Sequence, residues 1–270
     1  MNDRTASGDS GCEPIDTSKP CAHRNWRAAR PTQSSAWTWR CAVKRAFVVL
    51  ALSAVGCADE VAQPWDLEHD RIVAVRATPP SIPAGERSEL DALIALEGAS
   101  TSVQVPEAAT VVSPASLANT LSFDGGKWVV TAPDDAAIAA ARVELALEAD
   151  APVPLQVGVQ YGGELLATKT VWLGRAATNP SLTAMTIDGG SAETQAEVVV
   201  GTLVDVPMSV AVADGDEVNW LTSCGTMHDY DLPEAYLRVE HDDPTEGELA
   251  VVIRDKNGGV AWRVWPIHAE

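Results

Sequence analysis

Leu155-Gln156-Val157-Gly158-Val159-Gln160-Tyr161-Gly162-Gly163, followed by Leu165 to Leu173, is the stretch that decides the fold. Leu155, Val157, Val159 and Tyr161 interleave with Gln156, Gly158 and Gln160, the two-residue period of a strand with one face buried and one face wet. Gly162-Gly163 supplies the turn chemistry of a tight hairpin and makes Leu165 to Leu173 the returning strand.

The same alternation extends in both directions. Val143, Leu145 and Leu147 interleave with Arg142, Glu144, Ala146 and Glu148, which predicts a strand over residues 142–148. Earlier strands are expected at Arg71 to Ala77, Glu89 to Leu96 and Lys127 to Thr131, with residues 78–85 as the loop between the first two. The alanines of Asp134 to Ala141 favour helix by propensity, and that segment is read as a loop or a single helical turn. A junction falls at Ala177-Thr178-Asn179-Pro180. Beyond it, strands are expected at Leu182 to Ile187, Glu197 to Val200, Val206 to Val212, Glu217 to Leu221, Tyr236 to Glu240, Glu248 to Arg254 and Val260 to Ile267. Asp255-Lys256-Asn257-Gly258-Gly259 joins the last two as a hairpin, since Asn and Gly accept positive φ. Short strands separated by turns, with no long helix between them, predict an all-β chain of two antiparallel sandwiches, residues 71–177 and 178–270.

Upstream of residue 71 the chain changes character. Lys44-Arg45 heads an apolar run from Ala46 to Val55, and Gly56 precedes Cys57. A basic head, a short apolar run and a small residue form an export signal too short to span a bilayer. Cys57 in this position resembles the lipid-modified first residue of bacterial lipoproteins, although Ala54 stands where that family usually has Leu. The resemblance implies a signal peptide over 43–56, lipid on Cys57, and an exported, envelope-anchored protein. Ala58 is not the aspartate associated with inner-membrane retention in some bacteria, which points to the outer membrane. Residues 57–70 read as a polar tether. Residues 1–42 show neither strand nor helix periodicity and read as disordered or as a mis-annotated upstream segment.

Charge divides at the same place. Residues 1–56 carry eight basic and four acidic side chains, net +4, so the whole-chain charge of −19 leaves −23 for residues 57–270. Such a body repels nucleic acid and anionic headgroups, and no basic patch offsets it in the sequence, so no nucleic-acid partner is expected. Of the five cysteines, Cys12, Cys21 and Cys41 precede the signal and Cys57 would carry lipid. Only Cys224 remains, so no disulfide is expected within the body and stability must come from ordinary burial.

Trp220-Leu221-Thr222-Ser223-Cys224-Gly225-Thr226, with Gly247 to Gly259 further on, resembles the end of bacterial immunoglobulin-like domains of the PKD kind. There a strand-borne Trp precedes a Ser-Cys-Gly segment, and the closing strand pair carries an Asp and a Gly-Gly turn. Thr131-Ala132-Pro133-Asp134, followed by the alternation over 142–148, is similar to the corresponding region and makes the first half a diverged copy. The resemblance implies two tandem immunoglobulin-like sandwiches and a structural role for Trp220. Relatives often pair the cysteine within the domain, whereas Cys224 has no partner.

Chemistry is sparse. Cys224, His228, Asp229 and Asp231, with His241, Asp242 and Asp243 beyond the next strand, offer soft and hard donors that a zinc or copper ion accepts, but the spacing matches no structural zinc pattern. A buried cysteine beside a solvated acidic loop is the plainer reading. Asp214-Gly215-Asp216-Glu217 gathers three carboxylates yet lacks the spacing of an EF-hand loop. No Gly-x-Ser-x-Gly elbow, His-Glu-x-x-His or phosphate-cradling glycine loop occurs. Trp262 and Trp265, three apart on a strand, face opposite sides: one into the core, the other a surface platform or partly covered by a neighbouring strand. No cofactor or catalytic residue is expected. The expected function is a lipid-anchored, non-catalytic binding or structural module that touches an envelope protein or polysaccharide. The rivals are a metal-binding envelope protein using the Cys224 region, and a small hydrolase.

Translation starting near Val43 would restore a signal of ordinary length. Mass spectrometry of the native protein should then find no abundant tryptic peptides from residues 1–40, and their presence would defeat that start.

Overall fold

The computed structural model describes residues 62–270, so Cys57, the signal, residues 1–42 and the first part of the expected tether lie outside the described residues. Residues 71–173 form two sheets. One runs β1 (Arg71–Thr78), β3 (Arg87–Leu96), β7 (Lys127–Thr131) and β6 (Leu121–Asp124), with β4 (Ala99–Gln104) folded back along the second half of β3. The other runs β2 (Ser81–Ile82), β9 (Leu165–Leu173), β8 (Val153–Tyr161) and β5 (Ala108–Ser113). The expected hairpin pairs Leu155 with Val171 and Tyr161 with Leu165. Its inward residues Leu155, Val157, Val159 and Tyr161 meet Leu90, Ala92 and Ile94 of the opposite sheet.

The second half repeats this plan. One sheet runs β11 (Gly190–Ser191), β10 (Thr186–Ile187), β13 (Asp205–Ser209), β16 (Glu234–Arg238) and β15 (Thr226–His228). The other runs β12 (Val198–Val200), β18 (Val260–Ala269), β17 (Glu246–Arg254) and β14 (Glu217–Thr222). In both halves the leading strand is broken in two. Its first piece pairs antiparallel in one sheet, β1 with β3 and β10 with β13. Its second piece crosses over and pairs parallel with the last strand of the other, β2 with β9 and β12 with β18. Two immunoglobulin-like antiparallel sandwiches therefore follow one another along the chain.

Several local expectations are corrected. Residues 142–148 are not a strand: α1 (Asp135–Glu144) takes the first three and the rest form a turn and loop after it, and Val143 is 81% exposed. The Asp134 carboxylate caps the helix by accepting from the Ala137 N–H at 2.8 Å, and six alanine and isoleucine positions follow. Cap and propensity thus outweigh an alternation of only seven residues. Only Thr186–Ile187 of the expected 182–187 strand pairs, while β2 and β15 form where loops are expected and β4, β5 and β6 form where no strand is expected.

A third apolar layer lies between the sandwiches. Along β17, Leu249, Val251 and Ile253 enter the core of the second sandwich, whereas Ala250 and Val252 point the other way. Those two meet Val73, Ala74, Leu93 and Ala95 on the outer face of the first sandwich. The result is four stacked sheets rather than beads on a string. Backbone and side-chain bonds cross this seam: Arg254 Nη2 donates to Val73 O at 2.7 Å. Asn179 donates to Ala77 O at 3.0 Å while its Oδ1 accepts from Val260 N at 2.9 Å. Trp65–Leu67, within the stretch read as tether, docks on the edge of β14: Thr222 N donates to Trp65 O at 2.9 Å and Leu67 N to Thr222 O at 3.1 Å.

Because both faces of β17 are buried, the two sandwiches should unfold in one cooperative transition. Val252→Asp would strand a carboxylate between them and should cost about 3 kcal/mol or more by denaturant titration. Two separate transitions in the wild-type protein would contradict this coupling.

Candidate functional site

The seam carries the polar chemistry of the molecule. At its centre Trp262 lies on the outer face of β18, and the Arg76 guanidinium covers its ring at 3.9 Å from the centroid. Asp91 holds Arg76 from the next strand with contacts of 3.0 and 2.6 Å. A guanidinium clamped over an aromatic face and paired with a carboxylate is a geometry lysine cannot reproduce. Trp265 faces the opposite way and is buried in the second core. The expectation of opposite faces is met, and the outer tryptophan is covered by the first sandwich.

The two ends of the seam differ in charge. Where β17 begins and β18 ends, a cleft of about 730 Å³ is lined by Glu68, Glu97, Glu197, Glu246, Glu248 and His268, with no lysine or arginine among its walls. Glu248 is fixed there, its Oε2 accepting from Thr101 N at 2.7 Å and its own N–H donating to Ser223 Oγ at 2.8 Å. At the opposite end, by the β17–β18 turn, a cavity of about 530 Å³ opens between residues 72–75 of β1 and residues 165–170 of β9. Lys169 and Arg254 are its only charged wall residues. Both also line an adjoining cavity of about 360 Å³ with Glu217, Asp255 and Lys256.

Lys169 occupies an inward position of β9, in series with Leu165, Ala167, Val171 and Leu173, and is 7% exposed. Its stem crosses to the second sandwich, where Nζ donates to Gly258 O at 2.6 Å. Gly258 has φ +83°, and an added Cβ would lie 3.0 Å from Trp172 Nε1, so the turn fits against the first sandwich only as glycine. Burial pushes the Lys169 ammonium down to about 8, with Asp255 and Asp91 opposing and Arg254 adding to the fall. Arg254 is lowered too, first by burial and then by Arg71, against the attraction of Glu217. It donates to Asn219 Oδ1 and Val73 O.

The residues singled out in the sequence do not converge. Cys224 is a free, buried thiol whose Sγ donates to Pro244 O at 2.8 Å. Thr222 Oγ1 bridges the Cys224 peptide, donating to its carbonyl and accepting from its N–H. Burial, with Asp243 and Glu68, pushes the thiol up to about 11, away from thiolate chemistry. Gly225 follows at φ +85°, where a Cβ would strike Arg238 O at 2.5 Å, so the Ser-Cys-Gly segment is explained by packing. His228 stacks on Tyr236 with centroids 4.4 Å apart. Asp229 forms the wall of a separate apolar hollow with Tyr236 and Leu232. Among the described residues no group of three His, Cys, Asp or Glu side chains is placed to hold a metal ion, the Cys224, His228, Asp229 and Asp231 set included. Trp220 is fully buried and its Nε1 donates to Leu232 O at 3.2 Å. Sequence reasoning missed Lys169 and Arg254. The signal available was a lysine at an inward position of an otherwise apolar alternation.

No family model matches the chain, and no curated protein matches it. Among solved structures it is similar to the tandem Ig repeats of Dlar, at 9% identity and a TM-score of 0.26 over 75% of this chain and 98% of that one. It is also similar to the IG1+IG2 pair of DIP-gamma, at 10% identity and a TM-score of 0.25 over 76% and 99%. An endo-fucoidan hydrolase of glycoside hydrolase family 107 aligns at 11% identity and a TM-score of 0.22, over 72% of this chain and 28% of its own. The immunoglobulin-like assignment rests on the strand topology described above.

Lys169 sets a pH dependence. Its pKa of about 8 in the folded state lies below the ordinary 10.5, so between these values the unfolded chain binds more protons and stability rises with pH. The full effect is about 3 kcal/mol. From pH 9 upward Cys224, and from pH 10 Tyr161, act oppositely, because burial raises both and folding then opposes ionisation. Lys169→Met should remove the rise between pH 8 and 9 and stabilise the protein at pH 7 by about 1–2 kcal/mol in urea titrations. A loss of stability at pH 7 would show that the ammonium supports the seam.

Proposed function

We propose that this chain is an exported, lipid-anchored envelope protein whose fused sandwiches serve as a rigid, non-catalytic binding or structural module. The observation that carries the reading is the docking of Trp65–Leu67 on β14. Trp65 also packs against Tyr230 with ring centroids 5.5 Å apart, and Leu67 is buried in the seam. Folded structure therefore begins only eight residues after Cys57, a span of roughly 28 Å at full extension. A lipid on Cys57 would hold the acidic cleft, whose wall includes Glu68, close to the membrane surface. Partners in the envelope, whether protein or polysaccharide, would meet a body whose two halves move as one.

The charge of the cleft favours a partner with a basic segment, because opposite potentials steer encounter and like potentials exclude it. The strongly acidic body would be repelled by anionic headgroups, so attachment depends on the lipid rather than on the protein surface.

Fractionation of cells expressing the native chain should find it with membranes, and Cys57→Ser should release it to the soluble fraction. Retention of Cys57→Ser on membranes would remove the lipid anchor from this reading. Charge reversal of the cleft with Glu97→Lys and Glu246→Lys should leave membrane attachment unchanged and abolish cross-links to envelope partners that the wild-type protein forms.

A further inference from the structure

The cavity between β1 and β9 presents a buried ammonium, Lys169, and a half-buried guanidinium, Arg254, neither of them held in an ion pair. Lys169 has three N–H donors, and the structure supplies one acceptor, Gly258 O. Arg254 has five, and two acceptors meet it, Asn219 Oδ1 and Val73 O. Among the described residues, neither cation has a carboxylate within ion-pair distance. Of the nearby acids, Glu217 attracts Arg254 from the adjoining cavity without forming an ion pair, and the other two are bonded elsewhere. Asp255 Oδ1 accepts from the Asn257 and Gly259 N–H groups at 2.7 Å each, fixing the turn, and Asp91 is held by Arg76. Buried charges in folded proteins are ordinarily paired, and an isolated one is costly. Lys169 is such a charge, and with Arg254 it makes the lining of this cavity positive in a chain of net charge −19.

The second sandwich provides an internal comparison. It shares the topology of the first, yet there Arg263 on β18 donates to the carbonyls of Glu193 and Gln195, so the segment after β11 lies along the last strand. In the first sandwich the corresponding space beside β9 is the 530 Å³ cavity. Ile72, Val73, Ala74 and Val75 on one side and Leu165, Leu166 and Ala167 on the other give it apolar walls, and the two cations complete its lining. Apolar walls around a small number of convergent polar donors are the usual make-up of a small-ligand site.

We propose that this cavity binds an oxyanion, a sulfate, phosphate or carboxylate group seated between Lys169 Nζ and the Arg254 guanidinium. The free donors of both side chains would satisfy its oxygens, and the guanidinium fork suits a planar or tetrahedral oxyanion. The apolar walls would accept the carbon skeleton of a larger anion. Groups facing Lys169 are Asp255 and Lys256 from the β17–β18 turn, Arg254 and Glu217 from β17 and β14, and Asp91 from β3, while residues 72–75 of β1 add no charge. Anion binding favours the protonated amine, so it is coupled to proton uptake at Lys169.

The full-length protein titrated with sodium sulfate tests this. In NMR spectra reporting on lysine Nζ, the Lys169 midpoint near pH 8 should move up by about one unit. Calorimetric affinity for sulfate should be about tenfold weaker at pH 9.5 than at pH 7, where the amine is charged. Sodium chloride at matched ionic strength should do neither. Lys169→Met should lose sulfate binding, and Lys256→Met, in the adjoining cavity, should retain it. An unmoved Lys169 midpoint, an equal shift with chloride, or an undiminished sulfate heat in Lys169→Met overturns the proposal. A sulfated disaccharide binding more tightly than sulfate would identify a polysaccharide end group as the occupant, and equal affinity would identify the free anion. None of these readings depends on Cys57, so they stand or fall separately from the envelope assignment.

Discussion

Burial of β17 on both faces is the constraint from which the rest of the architecture follows. An antiparallel sheet in a free sandwich keeps one face wet, and its strands alternate. Residues 249–253, Leu-Ala-Val-Val-Ile, do not alternate, and all five are buried. The second face has to be covered, and the outer face of β1 and β3 covers it. Small side chains at Ala74, Ala95 and Ala250 let the two sheets approach, while Val73, Leu93 and Val252 fill the layer. The entering segment at Trp65–Leu67 and the linker at Asn179 then close the seam from two sides, so the first sandwich is held between two chain crossings onto the second.

Most of the fold was legible because alternation is a direct record of one-sided burial. The hairpin at residues 155–173, β3, β7, β14 and β18 all announce themselves this way. What alternation could not separate was a short amphipathic run from the end of a capped helix, since Val143, Leu145 and Leu147 satisfy a two-residue period by accident of spacing. Asp134, three residues before the N–H it caps, was the signal that decides for helix. Strands β2, β11 and β15, two or three residues each, are defined by their partners and leave almost no pattern of their own. The four-layer stacking was also written in the chain, as the uninterrupted apolar run of β17, but an uninterrupted run and an alternating one were read alike.

The candidate polar residues divide by the same logic. Cys224, His228, Asp229 and Asp231 are near in sequence, and proximity in sequence suggested a shared site. Strand geometry separates them: Cys224 turns into the core, His228 stacks along β15 onto Tyr236, and Asp229 has φ +53° in the turn after it. Lys169 and Arg254 are 85 positions apart and meet only because the seam forms. A site made by a layer contact is invisible to spacing rules, and only the misplaced polarity of Lys169 within β9 hints at it.

Lys169 poses the sharpest energetic question in the molecule. One hydrogen bond to Gly258 O contributes on the order of 1 kcal/mol, whereas depressing its pKa to about 8 corresponds to a cost several times larger. Methionine would fill the same space beside Trp172 and the β17–β18 turn without that cost, and buried ion groups are often replaced by apolar ones at no loss. Packing therefore does not account for an ammonium at this position, nor does the tie across the seam, which Arg254 and Asn179 already make. The balance changes if an anion enters the cavity: the desolvation cost is then offset by charge-assisted bonds, and the cation becomes the element that selects what binds. Stability sacrificed at a buried, donor-rich and unpaired group is the pattern expected of a binding site held ready in the absence of its ligand.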